Sequence, residues 1–191
     1  NYPDKIVKAI RRSPLLEKKE YVYSDFFFIL APRVVESMIK EDFPEYLDKN
    51  FYAPLGATSV MFNPIREYPL NEIVPTENDY NFRGKTIHGD VHDEGAIMLG
   101  GISGHAGLFA NANDIAKLMQ MYLNFGKYGG RRYFQEETLR EFTRTQFPNS
   151  DNRRALGFDK PRYNEEGLSR NTAQNASSAS FGHTGFTGIM V

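Results

Sequence analysis

The sequence Gly182-His183-Thr184-Gly185-Phe186-Thr187-Gly188 leads into Ile189-Met190-Val191, an apolar run that reads as the beginning or middle of a strand. Three glycines between 182 and 188 remove the Cβ atoms that would hold a neighbour away, so something approaches this backbone closely. His183 and two threonines stand between them. The pattern is that of a substrate-binding strand. The sequence stops where such a strand continues and pairs, and the expectation is a partial domain.

Working back from this stretch, Asn164 to Ser180 is polar and nearly free of bulky apolar side chains from Asn171 onward, which predicts a solvated loop delivering the chain into Phe181. A strand is expected around Leu156-Gly157-Phe158, an amphipathic helix over Gln135 to Thr145, and a turn plus short strand over Tyr128 to Phe134. Asn111-Ala112-Asn113-Asp114 opens a helix with Ile115, Leu118, Met119, Tyr122 and Leu123 on one face and Gly126 as its stop. Five glycines between 95 and 107, interleaved with small apolar residues, predict tight backbone packing.

Further upstream, prolines 64, 69 and 75 make Met61 to Arg83 a long irregular connection, of the kind that covers or serves a site. Phe43 to Phe51 reads as a helix stopped at Pro54-Leu55-Gly56. Ser24 or Asp25 is the expected N-cap of an apolar helix from Phe26 to Met38, and the unbroken hydrophobicity of Phe26 to Leu30 predicts burial on most sides, with Phe26 to Phe28 in the core. Asp4 to Lys19 predicts a short helix, a stop at Ser13-Pro14 and a connector. No linker divides the chain, so residues 1–191 read as one partial domain.

Composition narrows the function. Lys+Arg 23 against Asp+Glu 24 gives a formal charge of -1, and basic residues cluster no further than the pairs Arg11-Arg12, Arg131-Arg132 and Arg153-Arg154. Nucleic acid and charged membrane surfaces therefore have no electrostatic claim on the chain. No apolar run reaches the roughly 18 residues of a membrane span. With no cysteine, disulfides, thiolate metal sites and cysteine nucleophiles are excluded within these residues. No cofactor is expected.

His88, Asp90 and His92 alternate, and on a strand they would share one face as a divalent-metal arrangement, with Asp93 and Glu94 nearby. Two histidines and one aspartate outside any recognised motif are a thin ligand set, so loop hydrogen bonding is the favoured reading and no metal is assigned. His105, in a glycine-rich setting, reads as a buried histidine bonded to backbone.

Tyr23-Ser24-Asp25, the block Gly100 to Phe109 and His183-Thr184-Gly185 together resemble the serine β-lactamase and penicillin-binding-protein superfamily, and within it the class C-like branch. Phe51 to Pro64, and Gly104 to Phe109 with Asp114, are similar to further segments of that family in the same order. The resemblance implies an α/β, β-lactamase-like fold: a mostly antiparallel sheet flanked by helices, plus a helical subdomain carrying Tyr23. It also implies a serine nucleophile whose proton passes to a tyrosine and a lysine. Tyr23 takes the tyrosine role. His183 replaces the usual strand lysine, Thr184 and Gly185 grip the substrate, and the Phe186 N–H contributes to an oxyanion hole.

Two departures stand out. Asp25 occupies the family's asparagine position, where a carboxylate accepts but does not donate unless protonated; helix capping is its alternative role. The family's Ser-x-x-Lys belongs upstream of Tyr23, and no such sequence occurs between Asn1 and Val22. The expectation is that the nucleophile lies outside these residues and that the chain alone is inactive. Ser37-Met38-Ile39-Lys40 and Ser150-Asp151-Asn152 spell family motifs literally, yet Ser37 falls late in a helix and Ser150 lies too near His183.

Val91 to Glu94 and Gly101 to Phe109 are most similar in wording to bacterial members associated with, or fused to, β-N-acetylglucosaminidases of cell-wall recycling. This implies a bacterial, periplasmic or otherwise extracytoplasmic serine hydrolase acting on cell-wall peptide or related small amide and ester substrates. A non-catalytic module holding cell-wall fragments beside a glycosidase, and a true β-lactam hydrolase, are the alternatives.

Overall fold

Short polar side chains and glycines set most element boundaries. The computed structural model describes residues 1–18, 20–150 and 152–191, which form two compact units, Asn1–Ile115 and Ala116–Val191. The division falls inside a helix. Lys19, at the end of the predicted connector, lies outside the described residues.

In the first unit, the Asn1 side chain accepts the Asp4 N–H at 3.1 Å and opens α1 (Tyr2–Arg12), which stops at Ser13 before Pro14 as predicted. Helix α2 (Phe26–Ile39) ends with Lys40 in the left-handed conformation at φ 60°. Asp42 caps α3 (Phe43–Leu47), and one π-helical turn, Asp48–Tyr52, carries the chain into α4 (Ala53–Leu55). The helical run thus passes Pro54 and ends one residue later. Gly56, at φ 67°, ends it.

Strand β1 (Met61–Phe62) pairs antiparallel with β4 (Leu108–Phe109), and β2 (Glu77–Asp79) with β3 (Lys85–Ile87). The stretch predicted to be irregular therefore contains strands as well as two 3-10 turns, Pro64–Arg66 and Leu70–Glu72. In this unit Leu55, Ala57, Val60, Ile73, Ile87, Val91 and Ala96 are buried. Buried Asp79 closes the β2–β3 turn by accepting the N–H groups of Phe82 (2.8 Å) and Arg83 (3.1 Å) and the Arg83 Nε (2.8 Å). Arg83 holds the Asp79 carboxyl below the usual carboxylate range.

The glycine block packs as tightly as its composition requires. A Cβ on Gly104 would stand 2.4 Å from the Phe28 carbonyl oxygen, and one on Gly107 would stand 2.4 Å from the Gly101 carbonyl. This loop meets α2 near Phe28 and buried Pro32. Arg33 of α2 also pairs with Asp4 of α1 at 3.4 Å, and Glu36 accepts the Phe43 N–H at 3.2 Å. Phe26 is 49% exposed and Phe27 71%, so the expectation that Phe26 to Phe28 are core is corrected: a helix apolar all round needs more than one covering face.

Helix α6 (Ala112–Leu123) begins as predicted, with the Asn111 side chain accepting the Asp114 N–H at 2.8 Å, and Gly126 follows it at φ 86°. Its buried stripe is rotated from the predicted face: Met121 is fully buried and Leu123 is 60% exposed. In the second unit Tyr122 stacks on Phe134 and meets Phe158 edge-on, and Phe158 meets Phe181 in turn, at centroid distances of 6.3, 5.7 and 5.1 Å. Gly129-Gly130, both at positive φ, turn β5 (Lys127–Tyr128) into β6 (Arg131–Arg132), a hairpin where one strand was predicted. Helix α7 (Glu136–Thr143) matches its prediction. Leu156 to Phe158 does not form a strand: Gly157, at φ 80°, bends the chain, and pairing begins at Asp159.

Candidate active site

The predicted site residues divide between the units, Tyr23 and Asp25 in the first, His183 to Phe186 in the second. Tyr23 lies on the irregular segment that enters α2 and is 59% exposed. Asp25 occupies the N-cap position of α2, but its side chain makes no capping bond. The bond comes from Ser24, whose Oγ accepts the Phe26 N–H at 3.2 Å. Capping therefore does not account for the Asp25 carboxylate.

The glycine-rich stretch is a tight antiparallel hairpin. His183 N–H donates to the Val191 carbonyl and Val191 N–H to the His183 carbonyl, both at 3.0 Å, and Gly185 N–H donates to the Ile189 carbonyl at 2.8 Å. Phe186-Thr187-Gly188 forms the turn, closed by Gly188 N–H to the Gly185 carbonyl at 3.1 Å, with Gly188 at φ 86°. Gly182 is bonded in both directions to Asp159, at 2.7 and 3.1 Å, so this backbone is held on both flanks. What approaches the glycines is the chain itself: a Cβ on Gly182 would meet the Val191 carbonyl oxygen at 2.1 Å, and one on Gly185 the Ile189 Cγ1 at 2.6 Å. Thr184 stays exposed, and Phe186 is 73% exposed at the turn.

Sequence reasoning missed what stands beside His183. Arg154 donates through Nη1 to His183 Nε2 at 3.1 Å, and His183 Nδ1 lies 2.7 Å from the Thr184 carbonyl oxygen. Asp159 fixes the arginines: its Oδ1 is 2.8 Å from Arg154 Nε and its Oδ2 is 3.0 Å from Arg153 Nη2. The signal in the sequence was the pair Arg153-Arg154, and His183 stands 29 residues beyond Arg154. Nearby Lys160 is buried, its Nζ donating to the Ala179 carbonyl at 3.1 Å, and burial lowers its pKa.

A second array lies in the first unit. Ser103 Oγ is 2.8 Å from His105 Nδ1, and His105 Nε2 is 2.8 Å from Asp93 Oδ1. His105 is buried as expected, but its partners are side chains rather than backbone. Ser103 is buried too, and Asp93 caps α5 (Glu94–Met98) by accepting the Ala96 N–H at 2.7 Å. The array therefore braces the glycine loop against a helix start.

His88, Asp90 and His92 follow β3 on an irregular stretch, not on a strand. Arg83 takes the carbonyls of Val91 and His92, and His88 Nε2 bonds the Ile73 carbonyl oxygen at 2.6 Å. Among the described residues, no group of three or more His, Cys, Asp or Glu side chains could hold a metal ion. Ser37 lies in the last turn of α2, donating to the Val34 carbonyl at 2.7 Å, and Lys40 ends the helix in the left-handed conformation. Asp151, in the second literal motif, lies outside the described residues.

The Beta-lactamase family description matches residues 1–191. The chain belongs to the Beta-lactamase family. Among curated relatives, a protein of Escherichia coli K12 named "Putative D-alanyl-D-alanine carboxypeptidase" is 37% identical over 199 residues, covering 96% of this chain and 45% of its own length. The chain thus spans less than half of that relative. A penicillin-binding protein homologue from Pyrococcus abyssi superposes with a TM-score of 0.57 at 14% identity, over 82% of this chain and 34% of its own. D-amino acid amidase from Ochrobactrum anthropi SV3 gives 0.54 at 16%, over 82% and 45%. These two likenesses bear on the fold alone, and the fold is β-lactamase-like. Membership makes this a serine hydrolase family chain, with relatives named as D-alanyl-D-alanine carboxypeptidases. Among the described residues, no helix is long and apolar enough to cross a membrane.

Proposed function

We propose that the full-length protein is an extracytoplasmic serine hydrolase that cleaves bacterial cell-wall peptides, or related amides and esters, through an acyl-enzyme. The observation that carries this reading is the His183-Thr184-Gly185 segment: backbone-bonded on both flanks, with Thr184 exposed, in a chain matched to the family along its whole length. A rigid extended backbone with an exposed hydroxyl can hold a substrate carboxylate or carbonyl without reorganising when it binds. The Phe186 N–H at the turn is the strand's oxyanion donor. Tyr23 takes part in moving the serine proton, and the serine lies outside these residues, so the 191-residue chain alone does not turn over substrate.

The carboxypeptidase naming of the relatives supports peptides that end in a D-amino acid as the first substrates to try. Full-length protein should release the terminal D-alanine from a peptide ending in D-alanyl-D-alanine and leave the L,L peptide intact. Thr184→Ala should raise KM about tenfold, the worth of one or so kcal/mol of hydrogen bonding. Equal hydrolysis of both peptides, or of neither, would refute the substrate assignment.

A further inference from the structure

We infer that His105 is a positioning residue for Tyr23: with Asp93 and Ser103 it sets Gly104 against the Phe28 carbonyl and so fixes the first turn of α2, which the chain enters from Tyr23. The consequence for catalysis rests on the Tyr23 role proposed above. All of these residues belong to the first unit. The contact begins with a proline. An α-helix bonds the N–H of residue 32 to the carbonyl of residue 28, and Pro32 has no N–H, so the Phe28 carbonyl lacks its usual helix donor. Gly104 comes up to that place. A Cβ there would stand 2.4 Å from the Phe28 carbonyl oxygen and 3.4 Å from Pro32 Cδ, so a glycine is what lets the loop backbone approach this closely.

Gly104 has no side chain with which to hold itself there, and its two neighbours supply the hold. Ser103 Oγ is 2.8 Å from His105 Nδ1, and His105 Nε2 is 2.8 Å from Asp93 Oδ1. In the neutral ring the carboxylate, which only accepts, places the proton on Nε2 and leaves Nδ1 to accept from the Ser103 hydroxyl. Ser103 and the His105 side chain are buried, and the same Asp93 oxygen accepts the Ala96 N–H at 2.7 Å, which anchors the array on α5. The loop is tied to α5 a second time before Gly104, where Gly101 N–H donates to the Ala96 carbonyl at 2.9 Å.

On α2 the constraint passes back to Tyr23 within one turn. Ile29 N–H donates to the Asp25 carbonyl at 2.8 Å, and Ser24 Oγ accepts the Phe26 N–H at 3.2 Å, so Ser24 to Ile29 form one bonded turn. Tyr23 is the residue before that turn, and its direction follows from where the turn is set. Proton transfer between positioned groups depends steeply on such geometry. The buried histidine therefore bears on the proposed chemistry without touching a substrate.

Fluorine-19 spectra of the full-length protein carrying 3-fluorotyrosine test the link without any substrate, with the Tyr23 signal identified by its loss in Tyr23→Phe. That signal should move in His105→Leu, which fills space but bonds neither Asp93 nor Ser103. It should also move in Gly104→Ala, which displaces the Phe28 carbonyl and leaves the three side chains of the array in place. A Tyr23 signal unmoved in either folded variant would overturn the inference. In labelling with a fluorescent penicillin, His105→Leu should slow acylation about tenfold on its own and less than about twofold in a Tyr23→Phe background, because a residue acting through Tyr23 has little left to lose there. Equal slowing in both backgrounds would mark His105 as a general stabiliser and would also overturn it. A wild type that takes no label sinks the hydrolase reading instead, while the fluorine spectra still decide whether His105 positions Tyr23. Gly104→Ala keeps both measurements open if His105→Leu fails to fold.

Discussion

At the residue scale, the histidines show how far a side chain's surroundings decide its use. His105 sits between Ser103 and Asp93 with both nitrogens engaged at 2.8 Å. The His105 bond is the main reason the Asp93 carboxyl lies below the usual carboxylate range. A depressed carboxylate pKa stabilises the folded state fully above its unfolded value, and the benefit disappears as pH falls through the folded value. Asp93→Asn keeps the helix cap but not the charge. Thermal midpoints of wild type and variant should differ by a steady amount above about pH 5 and converge as pH falls below about 4, the ordinary aspartate value; a gap that stays constant would exclude this linkage. His105→Ala strips buried Ser103 of its partner and should cost about 2 kcal/mol or more in denaturant unfolding. The glycine spacing made a close approach legible, and it is confirmed at Gly104 and Gly185. Neither Ser103-His105-Asp93 nor Arg154-His183 was readable, because each joins residues whose pairing depends on chain folding rather than on spacing.

At the element scale, the apolar helices divide by what covers them. Met121 of α6 is fully buried, whereas Phe27 of α2 is 71% exposed. Met121→Ala should therefore cost about 2–5 kcal/mol, and Phe27→Ser less than about 0.5 kcal/mol, in chemical denaturation of the 191-residue chain. A large loss from Phe27→Ser would show that the uncovered face is packed in solution. Gly104→Ala, whose Cβ would fall 2.4 Å from the Phe28 carbonyl oxygen, should destabilise by about 1–3 kcal/mol through forced backbone separation. The helix start at Asn111 and the stops at Ser13, Gly56 and Gly126 were legible because capping and stop signals are local chemistry, whereas the Asn1 cap of α1 was not read. Which face each helix buries was not, since hydrophobicity records what can be buried and only the fold records what is. The same limit explains Leu156 to Phe158, where apolar composition suggested a strand and the φ of Gly157 prevents one.

At the scale of the whole molecule, the family was legible from four short patterns in a fixed order, each weak alone. The match along residues 1–191 agrees with that reading, as do the β-lactamase-like neighbours. No Ser-x-x-Lys occurs between Asn1 and Tyr23, which is why the proposal looks for its serine outside these residues. The chain spans 45% of the length of the Escherichia coli relative named as a carboxypeptidase. The central claim is an acyl-enzyme whose serine lies outside the 191 residues and whose proton transfer involves Tyr23. Incubating the full-length protein with a fluorescent penicillin and mapping the labelled peptide tests it most directly. The account predicts a label on a serine outside this sequence, formed about a hundredfold more slowly in Tyr23→Phe, consistent with loss of an acid–base group. No label, a label on Ser37, or labelling indifferent to Tyr23→Phe would contradict it.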